Sequence, residues 1–475
     1  MSFRPTTSAS NPPPSARMPV WPACWRGWRR VPHSNVEDCE KPGARCCEKL
    51  RAVAARAIAG DADPVLRVRV RGYRAAMSCR RNIVMCFDGT WNREDGEWPT
   101  NVVRTSRAVA PSTDSGVEQF RYYDRGVGTG RFDRLRGGVV GLGLALNVEQ
   151  AYVWLSSRYR PGDRIFLFGY SRGAYTARSL AGLVGLCGIA DPERCSAGGR
   201  QVGDAALEGM SIYRLAAGPA REDRAALYRE NWTRSSIRGG RSGSRDSCEV
   251  HFVGVWDTVG SLGVPLSGLQ WIAARRHRFH DVSVGDHIRR ACHAVAIDER
   301  RRPFAPTLWL NRPNAVGRVE QVWFPGVHGD VGGGRPSAGL SEGALLWMWS
   351  KAWEAGLAFR PTSVETVKPD PLGVLDDSLP LVYRVWGPTD RPVGARDRDG
   401  EPAAAGEALH WSALRRLEAG ETRAYRDGVA GRTVLPLLER GLIAAAAVGP
   451  GEEDPRSIAW RAPKTGPVSR LQARA

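Results

Sequence analysis

The sequence predicts an α/β fold: a mostly parallel β-sheet with helices on both faces, interrupted by one inserted, cap-like segment. Three observations carry that prediction. From Asn82 onward, short apolar runs alternate with longer stretches of helical periodicity. Several apolar runs stop abruptly in Asp- or Gly-rich turns, as strand ends do. One of them, Ile165–Phe168, leads through Gly169-Tyr170-Ser171-Arg172-Gly173 into an Ala- and Leu-rich helix.

In chain order, Asn82–Phe87 reads as the first strand and ends at Asp88-Gly89-Thr90. Val102–Ala110 reads as a helix, and QFRYYD (Gln119–Asp124) as the second strand. A Gly-rich loop follows. NVEQAYVWLSSRYR (Asn147–Arg160) then aligns Val148, Tyr152 and Leu155 on one helical face before PGD ends it. After the Ile165–Phe168 strand and its helix, residues 193–248 are polar and rich in Arg and Gly, with two helical stretches. That is too long for a plain connection and reads as an insertion. EVHFVGVWD (Glu249–Asp257) is a strand, Asp286–Ala296 a predicted helix, and VEQVWFPG (Val319–Gly326) another strand. SEGALLWMWSKAWEAG (Ser341–Gly356) is a helix expected to be capped by Ser341. The expected organisation is a basic Pro/Arg/Trp-rich arm over 1–80, one α/β domain over 81–445, and a flexible tail over 446–475. The arm has no periodicity, and is either disordered or ahead of a native start at Met77.

Charge narrows the function classes. The 475 residues carry 68 Lys+Arg against 50 Asp+Glu, a net +18, and half of that excess lies in the first 80 residues. A basic arm suits nucleic acid or anionic lipid, but no zinc-finger spacing or basic heptad accompanies it, so no nucleic-acid partner is expected. The ten cysteines include no C-x-x-C pair, and Cys86, Cys187 and Cys292 lie in apolar settings that suit reduced core thiols. No signal-peptide apolar region is present, and the most apolar stretch, Gly137–Leu146, is too short and Gly-rich to span a bilayer. The default location is the cytoplasm.

A strand meeting a helix through G-x-S-x-G is a nucleophile elbow, which makes Ser171 the candidate nucleophile. A serine hydroxyl needs a base, and the base needs an acid to orient it. Of eight histidines, His33 is in the arm, His251 lies within an apolar strand, and His277, His280, His287 and His293 belong to a basic, helical-looking region. His410 belongs to a polar helix. His328 alone stands in a Gly-rich loop directly after a strand, where open parallel sheets gather their functional groups. Asp257 closes an apolar strand, giving the order Ser171, Asp257, His328 that α/β-hydrolases use; Asp330, two residues past the histidine, is the rival acid. The oxyanion donors expected are the backbone N–H of Arg172 and one from Gly89 or Thr90. No metal or organic cofactor is required. The D-x-D-G-T signature of haloacid dehalogenase-like phosphatases also passes close to DGTWN, but Cys86 occupies the position of its nucleophilic Asp.

Taken together, NIVMCFDGTWN with TNV (Thr100–Val102), YYDRGVGTG, GYSRGAYTAR, VGVWDTVGSLGVP, AIDERRRPFAPTLW and FPGVHGDVGGG span roughly 82–355. As a set they resemble the bacterial α/β-hydrolase family, formerly of unknown function, that includes the phospholipase effectors of type VI secretion. The resemblance implies a Ser–Asp–His triad on Ser171, Asp257 and His328. For effector members it implies lipid-ester hydrolysis and secretion by a type VI system. Residues 261–282 join apolar Leu262, Val264, Leu266, Leu269, Trp271 and Ile272 to a cluster of Arg275, Arg276, His277 and Arg278. That pairing suits peripheral contact with an anionic membrane. Two other classes fit the same residues: a degenerate hydrolase fold acting as a binding module, and an esterase of small soluble esters.

Overall fold

Along the first strand, β1 (Asn82–Phe87), Ile83, Met85 and Phe87 face one core while Val84 and Cys86 face another, and all five are buried. A strand apolar on both sides needs cover on both, which is the condition that selects parallel sheets between helical layers. The computed structural model describes residues 80–89, 92, 94–125, 140–233, 248–259, 283–377, 388–419 and 444–445, all within the unit Met77–Ala475. The further strands are β2 (Gln119–Asp124), β3 (Arg164–Tyr170), β4 (Val250–Trp256), β5 (Ala291–Ala296), β6 (Val319–Phe324), β7 (Glu407–Leu409) and β8 (Ala444–Ala445). Their order is β2-β1-β3-β4-β5-β6-β7-β8, and every neighbouring pair is parallel. The chain leaves β1 toward one edge to make β2, then crosses to its other side for β3. Such a reversal opens a crevice at the carboxyl ends of the strands.

The helices are α1 (Asn101–Ala108), α2 (Val140–Arg158), α3 (Arg172–Cys187), α4 (Pro192–Ala197), α5 (Val202–Tyr213) and α6 (Pro219–Trp232), followed by α7 (His328–Gly332), α8 (Gly339–Glu354), α9 (Pro361–Glu365) and α10 (Trp411–Ala419). α2 and α3 cover the Ile83 face; α1 and α8 cover the Val84 face. The described part of the inserted segment, α4 to α6, joins the first of these cores. There the buried Tyr152 of α2 donates to the Gly188 carbonyl at 2.9 Å, and its oxygen lies 3.1 Å from that of Tyr228 of α6.

β1 and β2 fall on the residues the sequence indicates. The predicted helix over Asp286–Ala296 is corrected: its second half, ACHAVA, is β5, paired to both β4 and β6. Alanine-rich composition favours helix locally, but two flanking strands and a helical layer on each face override that preference. His293 is therefore a strand residue, and His410 precedes α10 rather than belonging to it. Helix α8 starts two residues early, with Ala338 as its N-cap; Ser341 lies inside it and bonds back to the Ala338 carbonyl. His328, expected in a loop, opens the short helix α7. The arm through residue 79 and the tail 446–475 lie outside the described residues. No helix among the described residues is long and apolar enough to cross a membrane.

Candidate active site

Ser171 sits between β3 and α3 with φ 57° and ψ −120°, a backbone conformation that non-glycine residues avoid. The two elbow glycines explain how the turn closes. A Cβ on Gly169 would lie 2.5 Å from the Ala174 Cα, and one on Gly173 would lie 2.1 Å from the Phe87 carbonyl oxygen. No side chain fits at either position, because helix, nucleophile strand and the end of β1 meet there in backbone contact. The N–H of Ser171 donates to the Trp256 carbonyl of β4 at 3.1 Å, which fixes the turn against the next strand.

His328 and Asp257 converge on this serine. The Ser171 Oγ lies 2.9 Å from His328 Nε2, and His328 Nδ1 lies 2.6 Å from Asp257 Oδ2. An ionised carboxylate only accepts, so Nδ1 carries the proton and donates it to Asp257; Nε2 is left to accept from the serine hydroxyl. All three residues are buried, with Ser171 and His328 retaining 8% and 7% exposure. The imidazole is held on its faces and by its backbone. The Tyr170 ring packs tilted at 4.7 Å and its hydroxyl donates to the His328 carbonyl at 3.1 Å, while Phe304 packs edge-on at 5.0 Å. The His328 N–H donates to Glu299 Oε2 at 3.2 Å.

Asp257 follows β4 with φ 37° and is fully buried. Its Oδ1 accepts from the Ala296 N–H at 3.0 Å and from Arg391 Nη1 at 3.1 Å; its Oδ2 accepts from Arg391 Nη2 at 3.1 Å as well as from His328. Burial pushes this carboxyl up, but the Arg391 guanidinium and the His328 contacts reverse that and hold it well below the usual carboxylate range. The loop after Asp257 is pinned by His293: the Thr258 N–H donates to its Nε2 at 3.0 Å, and its Nδ1 faces Gln321 Oε1 at 3.3 Å. Burial pushes the His293 imidazole down to about 3, which keeps it neutral for that task.

The rival acid is elsewhere. Asp330 Oδ2 accepts the N–H groups of Val327 at 3.0 Å and Asp376 at 3.2 Å, so it ties down the start of α7 rather than the imidazole. Burial pushes its carboxyl up to about 6. Of the oxyanion candidates, Arg172 is the first residue of α3, where a helix leaves its N–H groups unbonded and its dipole positive. Gly89 reaches the site, its Cβ position 3.2 Å from the Ser171 Cβ, but its N–H donates to Asp88 Oδ1 at 2.7 Å. Thr90 lies outside the described residues, as does the membrane-facing segment proposed at 261–282. Among the described residues no group of three or more His, Cys, Asp or Glu is arranged to hold a metal ion.

Sequence patterns missed Arg391, Glu299 and the structural role of His293. Glu299 lies inside AIDERRRPF, a stretch already singled out, but Arg391 in PTDRPVG carries no motif at all.

A family model described as the catalytic domain of Tle1-like phospholipase effectors of the type VI secretion system matches residues 81–351. An uncharacterized protein of Saccharomyces cerevisiae, YEL023C, is 28% identical over 252 residues, which cover 50% of this chain and 34% of that protein. The chain thus spans about a third of the yeast relative. Among solved structures, an uncharacterized protein from Pseudomonas aeruginosa is similar over 68% of this chain and 52% of its own, at 18% identity and a TM-score of 0.37. The Tle1 effector bound to the VgrG spike of the type 6 secretion system is similar over 62% of this chain and 77% of its own, at 16% identity and a TM-score of 0.35.

Proposed function

The chain belongs to the family of Tle1-like phospholipase effector catalytic domains, and from that premise we propose that it is a serine hydrolase of carboxylic esters, phospholipid esters among them. The observation that carries the proposal is the unbroken relay from Ser171 Oγ to His328 Nε2 and from Nδ1 to Asp257 Oδ2, at 2.9 and 2.6 Å.

His328 Nε2 takes the hydroxyl proton as Ser171 Oγ attacks the ester carbonyl. Asp257 fixes the tautomer that leaves Nε2 free and stabilises the imidazolium that forms. The tetrahedral oxyanion develops beside the amino end of α3, where the Arg172 N–H and the helix dipole favour negative charge. His328 then returns the proton to the leaving alcohol, and an acyl-Ser171 ester remains. Water, deprotonated by the same Nε2, cleaves that ester and restores the serine. Each step is a proton or acyl transfer between the ester or water and the side chains of Ser171 and His328.

The family supports a phospholipid as the substrate class, and the apolar and Arg-rich composition of residues 261–282 supports docking on an anionic bilayer. Export by a type VI secretion system is the corresponding proposal for its location. Hydrolysis of short esters, long esters and phospholipids by the purified protein, with Ser171→Ala as control, tests the function. Neutralising Arg275, Arg276 and Arg278 is expected to weaken salt-sensitive binding to anionic vesicles without changing hydrolysis of a soluble ester. Equal partition onto neutral and anionic vesicles contradicts the docking proposal.

A further inference from the structure

The acid of this site is not left alone with its histidine. Arg391 approaches Asp257 with both terminal nitrogens, Nη1 to Oδ1 and Nη2 to Oδ2, each at 3.1 Å, in the two-pronged geometry that fits a guanidinium to a carboxylate. Its third donor, Nε, reaches the Glu299 carbonyl at 3.2 Å. The Glu299 carboxylate accepts the backbone N–H of His328 at 3.2 Å and is balanced by its own partner, Arg301, at 2.7 Å. One guanidinium therefore ties together the turn after β4, the turn after β5 and, through Glu299, the start of α7. The Arg391 side chain is 3% exposed and that of Asp257 is fully buried, so water screens this pair little. The segment is itself anchored: Pro388 bridges to Arg301, the Thr389 N–H donates to the Arg300 carbonyl at 3.0 Å, and Val393 is buried in a core with Leu409 and Trp323. Arg391 lies beyond residue 351, where the family match ends.

We propose that Arg391 is a positioning residue of the hydrolytic site, one that keeps Asp257 ionised and aimed at His328 while limiting how strongly that carboxylate draws a proton onto the imidazole. The inference rests on the assignment of Ser171, His328 and Asp257 as the reacting relay. Its physical basis is charge balance. The groups facing the Asp257 carboxylate are Arg391, His328, His293 of β5, and Tyr170 of β3. His293 is neutral and Tyr170 is a buried phenol, so Arg391 is the fixed cation of this set. With it, the Asp257 carboxylate and its guanidinium sum to zero charge beside the imidazole. Without it, a buried pair carries an uncompensated negative charge and binds a proton more readily. Whether that proton settles on the carboxylate or the imidazole, the base form of the relay is lost.

The test is the pH dependence of kcat/KM on a small soluble ester, measured on the full chain for wild type, Arg391→Gln, Arg391→Lys and Ser171→Ala. Arg391→Gln is expected to move the acid limb of the profile upward by about one pH unit or more. The activity lost at low pH should return as pH rises. Arg391→Lys keeps the charge but not the two-pronged contact, so it should lower kcat and leave the limb where wild type has it. A Gln variant that is folded by melting curve, slower at every pH, and unshifted in its limb reduces Arg391 to a packing residue and overturns the proposal. Where the Gln variant does not fold, the Lys variant decides: a limb that rises although the charge is kept also overturns it. Loss of the relay assignment gives a different pattern, in which Ser171→Ala still hydrolyses the ester.

Discussion

Replacing Ser171 with Gly and with Ala separates the chemistry of this residue from the strain it bears. Both variants remove the hydroxyl, and both are expected to lower kcat by about 10⁴- to 10⁶-fold, the loss found when a triad nucleophile is removed. Their stabilities should differ. At φ 57° and ψ −120° the backbone lies outside even the left-handed well that L-residues occasionally visit, and holding a non-glycine residue there costs about 1–3 kcal/mol. Alanine keeps that penalty because it keeps a Cβ. Glycine removes it, less about 0.5–1 kcal/mol for the greater freedom of its unfolded chain. Taking the middle of each range, the difference is about 1 kcal/mol in favour of Ser171→Gly over Ser171→Ala, which corresponds to a melting temperature about 1–2 °C higher in a chain of this size. Thermal unfolding of the two variants in parallel measures it. A Gly variant no more stable than the Ala variant refutes the claim that the nucleophile is held in a strained turn.

Gly173→Ala should be harmful out of proportion to its size, because the added methyl would lie 2.1 Å from the Phe87 carbonyl; a loss of about 1–3 kcal/mol by melting and a large fall in kcat are expected, since the displaced helix begins at Arg172, whose N–H is the proposed oxyanion donor. Asp257→Asn and His328→Ala should each reduce kcat about 10⁴-fold while Asp330→Asn stays active, and the reverse ranking of the two Asp variants would transfer the acid role. Burial raises the carboxyls of Asp298 to about 7 and of Asp330 and Asp88 to about 6. The folded state therefore holds protons that the unfolded state has released, and these groups subtract stability as pH rises from about 4 through 7. Melting temperature should fall over that window, less steeply in Asp298→Asn; an unchanged slope in that variant contradicts the assignment. Asp257 acts in the opposite sense. Its depressed carboxyl contributes stability above the usual carboxylate range and loses it as pH falls below that range.

The parts of this molecule that were legible in the sequence are those fixed by local chemistry. Apolar runs buried on both faces announced β1, β4 and β6, the aromatic-rich QFRYYD announced the partly exposed edge strand β2, and G-x-S-x-G announced a turn in which two glycines are required by backbone contact. Asp257 directly follows β4 and His328 stands four residues past the end of β6, and both could be chosen because a parallel sheet exposes its functional residues at strand ends. β5 was missed because ACHAVA has helical composition and becomes a strand only through its two neighbours. The serine cap of α8 was missed by a few residues, as helix ends often are. Arg391 was out of reach for a different reason. A guanidinium that pairs with a carboxylate 134 positions away leaves no periodicity or spacing to detect. By sequence His293 reads as part of a basic, helical-looking region, and only its burial in β5 reveals it as the acceptor that holds Thr258.

The central claim is that Ser171 is an activated nucleophile, and covalent labelling tests it most directly. A fluorophosphonate probe reacts with a serine only where a base removes its proton as it attacks. Incubation of the full chain with such a probe, followed by mass mapping of the adduct, should place one label on Ser171, with ester hydrolysis lost in proportion. His328→Ala should remain unlabelled on the same timescale. Absence of label on the wild-type protein, or a label on another residue with hydrolysis abolished alongside it, contradicts the account.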